Sequence, residues 1–128
     1  MQTIAILGAS PDPSRYSNRA CRVLQKLGHK VYAVSLMGDS IHGTIGVTRL
    51  AQIPEPIDTL TLYLNAANQQ KLLPEILALT PRPKRVIFNP GSESDATERA
   101  LDAAGIRILH ACTLVMASTG QFELPICR

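Results

Sequence analysis

Gly8, Ser10, Arg15 and Ser17 fall within ten residues, directly after the apolar run Ile4-Ala5-Ile6-Leu7 and just before a helical pattern. In that order they have the makings of an anion site. The first turn of a helix leaves about four N–H groups without intrahelical partners and carries a partial positive charge. A glycine removes the Cβ that would block close approach, serines offer hydroxyl donors, and an arginine presents a planar charged fork suited to phosphate oxygens. A lone glycine makes only a tight turn. The strand, turn and helix around this one make the anion reading the better one.

Other reactive residues carry less. Cys112 lies two positions from His110, and a catalytic thiol needs a base or cation to lower its pKa. Nearness in sequence does not supply that geometry, and the plainer reading of Cys112 is a small buried core residue. Cys21 falls on the apolar face of a helix. Cys127 lies near the end of the chain, and no CxxC spacing marks a zinc site or disulfide framework. His42 sits among glycines as a solvated loop histidine, while Asp12, Asp39 and Asp58 have no spacing that suggests a metal site or a carboxylate pair.

The elements that must position these residues alternate regularly. A first helix carries Ala20, Val23, Leu24 and Leu27 and stops at Gly28. Lys30 to Ser35 is a second strand, residues 36 to 47 read as a long glycine-rich loop, and a helical turn at 48 to 53 ends at Pro54-Glu55-Pro56. Thr59 to Leu64 is a third strand, and Asn65 caps the next helix. There Pro74 implies either a kink or a regular part that starts near Leu73. Arg85 to Phe88 is a fourth strand, followed by a polar glycine turn over Asn89 to Ser94. A helix then opens on an Asp95/Glu98 capping box and closes at Gly105. Ile106 to Leu109 is a fifth strand, 113 to 117 a short helix, and 121 to 128 a C-terminal tail.

Continuous apolar strands separated by helix-length crossovers mean a parallel sheet covered on both faces. The expected fold is α/β: one Rossmann-like three-layer domain over residues 1–128, with a parallel five-stranded sheet in the order 3-2-1-4-5. The crevice then opens between strands 1 and 4, flanked by the turns at Gly8 to Ser17 and Asn89 to Ser94.

Composition narrows the ligand. The chain has 128 residues, 45% of them hydrophobic and 18% charged, and a net charge of +3, which suits one folded domain and a small anion. Its five aromatics are scattered rather than interleaved with a basic stripe, which argues against nucleic acid. No apolar run approaches the ~18 residues of a membrane span, and no leader pattern is present, so a cytoplasmic location without membrane attachment is expected. The nicotinamide fingerprint is broken: Ser10 and Pro13 stand at its second and third glycines, and Ala33-Val34-Ser35-Leu36 lacks the acidic residue that holds a ribose 2′-OH.

Four segments together carry a family resemblance: Gly8-Ala9-Ser10-x-x-Pro13-x-Arg15-Tyr16-Ser17, Ile53-Pro54-Glu55-Pro56-Ile57-Asp58, Phe88-Asn89-Pro90-Gly91 and Ala111-Cys112-Thr113-Leu114-Val115. In this order, from about Thr3 to Phe122, the chain resembles the stand-alone coenzyme A binding domains of bacteria. The same domain stands at the front of the succinyl-CoA synthetase α subunit and of ADP-forming acyl-CoA synthetases. The resemblance implies that Gly8, Ala9, Ser10, Arg15, Ser17 and Asn18 cradle the phosphates. It places Val34 and Ser35 near the adenosine, and Leu64, Asn65, Asn89, Pro90 and Gly91 along the crevice. Relatives often carry Asn-Pro-Lys after strand 2; here Ser35-Leu36-Met37 replaces it and leaves Arg15, Arg19 and Arg22 as cations for the 3′-phosphate.

The expected function is binding of coenzyme A or an acyl-CoA by a carrier, sensor or partner module without catalytic residues or metal, since the ligase domain of the synthetases is missing. A small enzyme using Cys112 for acyl transfer or thiol chemistry, and an NADP-linked reductase, are the competing readings. A homodimer or a protein partner fits a domain of this size.

Overall fold

The apolar run at the start of the chain becomes the central strand β1 (Thr3–Leu7), with all five residues buried. Its side chains alternate between faces. Ile4 and Ile6 pack with Ala20, Cys21 and Leu24 on one side, while Ala5 and Leu7 pack with Leu62, Ile76 and Leu101 on the other. A strand buried on both faces needs apolar residues at every position, which is why the run shows no polar alternation. Each fully buried aliphatic side chain contributes about 1.5–3 kcal/mol relative to exposure.

In this computed structural model, which describes residues 1–123, β1 pairs in parallel with β2 (Lys30–Val34) on one side and β4 (Thr59–Leu62) on the other. The sheet continues through β5 (Arg85–Phe88) to β6 (Arg107–His110) at one edge and β3 (Ile45–Val47) at the other. The six parallel strands run β3-β2-β1-β4-β5-β6. Helices α1 (Tyr16–Lys26) and α4 (Thr113–Ser118) cover one face, and α2 (Ala66–Leu77) and α3 (Asp95–Ala103) the other. The Rossmann-like α/β fold is therefore as expected, with corrections.

The sheet has six strands rather than five. The extra one, β3, lies inside the stretch read as loop, and it occupies the edge assigned to Thr59–Leu64, which instead sits beside β1. Three residues are too few to show a period, and their glycine disguised them. A Cβ on Gly46 would stand 2.2 Å from the Gly38 carbonyl oxygen, so only glycine lets the 38–39 turn lie against the strand. The order reverses between β1 and β4, not between β1 and the strand at 85–88.

Two helix boundaries also differ. The α2 helix runs from its Asn65 cap through Pro74 to Leu77, so it does not start near Leu73. The α3 cap is Ser94, whose hydroxyl accepts from the Thr97 N–H at 3.4 Å, so the cap lies one residue before Asp95. Gly28 ends α1 with φ +89°, as its position foretold. Of the segment expected as a tail, Gln121–Glu123 forms a 3-10 turn that buries Phe122 completely. Residues 124–128, Cys127 among them, lie outside the described part. No helix among the described residues is long and apolar enough to cross a membrane.

Candidate functional site

A parallel sheet that reverses its order leaves a crevice at the carboxyl ends of the strands on either side of the reversal. Here that is the exit of β1 beside the exit of β4. Gly8 turns the chain out of β1 with φ +85°, and a Cβ there would lie 2.7 Å from the Tyr63 carbonyl oxygen. Both the left-handed backbone and the close approach require glycine. The Gly8 and Ala9 N–H groups both donate to the Val34 carbonyl at 3.2 Å, which fixes the loop but engages these two donors.

Free donors come a little later in the chain. Asp12 organises the approach to α1: its side chain accepts from the Ser14 N–H at 2.9 Å and the Ser14 hydroxyl at 2.8 Å, and its carbonyl from the Arg15 N–H at 3.0 Å. The two Ser14 bonds hold the Asp12 carboxyl below its usual pKa, so it stays charged and turned into its own loop. The N–H groups of Ser10, Tyr16 and Ser17 have no partner among the described residues, and neither has the Arg15 guanidinium. Asn18, expected to meet phosphate, is buried as a brace: its amide donates to the Ser10 carbonyl at 3.0 Å, and its oxygen bonds His42 Nε2 at 2.7 Å. His42 is thus exposed but tied to the loop rather than simply solvated.

The facing wall is built by the turns after β4 and β5. Asn65 accepts from the Asn68 N–H at 2.9 Å and so starts α2 at the crevice. Gln69, buried within α2, donates to the carbonyls of both Leu64 and Ser92 and locks the two turns together. Asn89 is buried too. It donates to Thr61 Oγ1 at 2.6 Å and the Leu62 carbonyl at 2.9 Å, and accepts from the Thr113 N–H at 2.9 Å.

Two adjoining clefts result. The first, about 410 Å³, has Gly8, Ser10, Arg15 and Ser17 on one side. Leu64, Asn65, Pro90 and Gly91 form its other side. The second, about 490 Å³, shares Gly8, Ser10 and Leu64 and adds Ala9, Val34 and Ser35. Their sizes suit an elongated small molecule. Asn18 and Asn89 line neither; they hold the loops that do.

Sequence reasoning missed Tyr16, Tyr63 and Ser92 in the first cleft and Asn68, Lys71 and Leu72 in the second. The α2 trio follows the Asn65 cap at helical spacing, a signal that becomes readable only once β4 is placed beside β1. Arg19 and Arg22 are exposed on α1 and line neither cleft; the Arg19 guanidinium lies 5.4 Å from the Tyr16 ring centroid.

The thiols stand apart. Cys112 is half-buried rather than buried and lines neither cleft. His110 bonds Glu98 Oε1 at 2.7 Å and stacks on Phe88, its ring centroid 5.6 Å away. Cys21 is fully buried, and desolvation pushes its thiol up to about 12. Burial likewise pushes the Tyr63 phenol up to about 12, so it stays neutral beside the crevice. Among the described residues no cluster of His, Cys, Asp or Glu is arranged to hold a metal ion.

The model of the CoA binding domain family matches residues 2–118. Among solved structures, the chain is 40% identical to an uncharacterized protein, covering 95% of this chain and 98% of that one with a TM-score of 0.86. It is 33% identical to a Thermus thermophilus protein, over 93% and 89% of the two chains, with a TM-score of 0.82. The fold extends to a dinucleotide forming acetyl-coenzyme A synthetase of Candidatus Korarchaeum cryptofilum. That match has a TM-score of 0.72 at 20% identity and covers 86% of this chain and 25% of that one.

Proposed function

The chain belongs to the CoA binding domain family, and from that premise we propose that its paired clefts bind coenzyme A or an acyl-CoA. The observation that carries the reading is the donor set at the reversal point. Free N–H groups on Tyr16 and Ser17, the Ser17 hydroxyl and the unpaired Arg15 guanidinium converge on a cleft that Gly8 keeps open. That set fits a diphosphate, with backbone dipoles and a planar cation acting on one anion. Val34, Ser35 and Leu64 offer the adjoining cleft to the adenosine. Asn65, Pro90 and Gly91 flank the path of the pantetheine arm.

The protein acts as a carrier, sensor or partner module. Among the described residues no cysteine or histidine lines either cleft, which supports binding without covalent chemistry at Cys112. A thermal-shift series with coenzyme A and NAD at matched concentration tests the reading. A ligand at about 100 times its Kd adds ~2.7 kcal/mol, worth on the order of 10 °C in a domain of this size. Coenzyme A is expected to raise the midpoint and NAD is not, with Arg15→Ala losing most of the rise. No shift in protein that mass spectrometry shows to be ligand-free would overturn it.

A further inference from the structure

The adenosine half of the crevice lies between the loop that follows β2 and the first two turns of α2. Its loop side presents Leu36 and Met37, 97% and 81% exposed, and Asp39; its helix side presents Asn68, Lys71 and Leu72. Among the described residues Lys71 is the only cation that lines this cleft. It makes no hydrogen bond or ion pair with another described residue, Asp39 included. The end of β2 is where a doubly wound sheet receives the ribose of an adenine nucleotide, and where a cation is required when that ribose carries a phosphate. The loop that leaves β2 here supplies two apolar side chains and no positive charge.

We propose that Lys71, reaching in from α2, is the cation that recognises the 3′-phosphate of coenzyme A and sets the preference for it over the dephosphorylated form. This rests on the coenzyme A reading above. The division of labour follows from the two linings. Arg15 faces the first cleft with the free helix donors, so it serves the diphosphate, whereas Lys71 faces the second. Arg19 and Arg22 face neither. An exposed ammonium on a four-carbon stem meets a terminal phosphate as a mobile point charge, a role the flexible side chain suits. Asp39 in the same cleft weakens the attraction, so its removal is expected to sharpen the preference.

Isothermal titration with coenzyme A and 3′-dephospho-coenzyme A, on the wild type and on Lys71→Met, Lys71→Arg and Asp39→Asn, decides it. Lys71 is exposed on a helix, and methionine keeps helix propensity and stem volume, so the variant retains the fold. The wild type is expected to prefer coenzyme A by roughly tenfold, the size of one charge-assisted hydrogen bond. Lys71→Met is expected to bring the ratio near one while leaving the dephospho form bound as before. Lys71→Arg retains most of the preference, Asp39→Asn increases it, and added salt reduces it in the wild type. A ratio that Lys71→Met leaves unchanged, or a wild type that binds both forms equally, overturns the assignment of Lys71 alone. Failure of the wild type to bind either form, or tighter binding of NADP than of coenzyme A, overturns the coenzyme reading itself.

Discussion

At the scale of single residues, the site turns on what each polar or flexible group is already doing. Gly8 and Gly28 both hold a left-handed backbone, at φ +85° and +89°, but only Gly8 is also pressed against its surroundings. Alanine at Gly28 meets nothing within 4 Å and is expected to cost only the conformational strain, about 1–2 kcal/mol. Alanine at Gly8 adds a Cβ 2.7 Å from the Tyr63 carbonyl oxygen, which is backbone and cannot swing aside. The expected total is about 2–4 kcal/mol. Urea unfolding of the two variants checks the pair, and equal losses would show that the close approach is not tight. That Gly8, Ser10 and Arg15 would share one cleft was legible in the sequence, because a glycine turn, a hydroxyl and a cation lie within one loop after a strand. The bracing bonds of Asn18 and Asn89 were not, because their partners Ser10, His42, Leu62 and Thr113 come near only in the folded chain.

At the scale of elements, long and strongly patterned segments were readable and short or contradictory ones were not. β1 and α1 match their expected positions because each repeats its signal over a full strand or several turns. β3 escaped because three residues, one of them Gly46, next to the loop glycines Gly38 and Gly43 look like a loop. Pro74 left two readings open, a kink or a start near Leu73, and the helix bounds exclude the second. Ile76 is buried against the sheet and Asn65 secures the start of α2, so the helix continues through the proline. The Ala78 N–H still reaches the Pro74 carbonyl at 3.0 Å, and what is missing is the N–H that residue 74 would give Gln70. Pro74 itself is exposed, so its replacement leaves no buried cavity. An interior proline costs about 3 kcal/mol, offset here by the ~0.4–1 kcal/mol it contributes by restricting the unfolded chain. Gln70 is an exposed residue, and hydration of its carbonyl is expected to recover part of the rest. Pro74→Ala is therefore expected to stabilise by about 1–2 kcal/mol, seen as a higher urea midpoint at unchanged slope. A lower midpoint would mean that α2 is built around the proline.

For the molecule as a whole, a parallel sheet has two unlike ends. The carboxyl end carries the two site turns, the free donors and the paired clefts; the amino end is closed by a polar network that ties segments far apart in sequence. The class of fold was legible from the alternation of elements, but the neighbour of β1 was not, because strand order depends on crossovers rather than on any one strand's residues. Glu55, in the crossing segment between β3 and β4, is central to the closed end. It accepts from Thr3 Oγ1 at 3.0 Å on β1 and from the Tyr32 hydroxyl at 2.6 Å on β2, and it pairs with Lys30. Beside it, Asp58 accepts from the Thr3 N–H at 2.8 Å and pairs with Lys84 at 3.1 Å. The Lys30 and Tyr32 bonds hold the Glu55 carboxyl below its ordinary 4.5. Its contribution is therefore complete above that value and is lost as the pH falls through the lower folded value. The same bond raises Lys30 above its ordinary 10.5, while burial and then Glu55 raise Tyr32 above 10.0. Their contributions are complete below those values and are lost as the pH rises through the folded ones. Glu55→Gln keeps the shape and removes the charge, so its deficit against the wild type should be flat between about pH 5 and 10 and shrink on both sides. Urea midpoints for the two proteins across that range measure it, and a deficit that does not change with pH would show that Glu55 acts through shape alone. Because Glu55 lies at the opposite end from the clefts, its replacement is expected to leave coenzyme A affinity at neutral pH unchanged, which separates closure of the sheet from construction of the site.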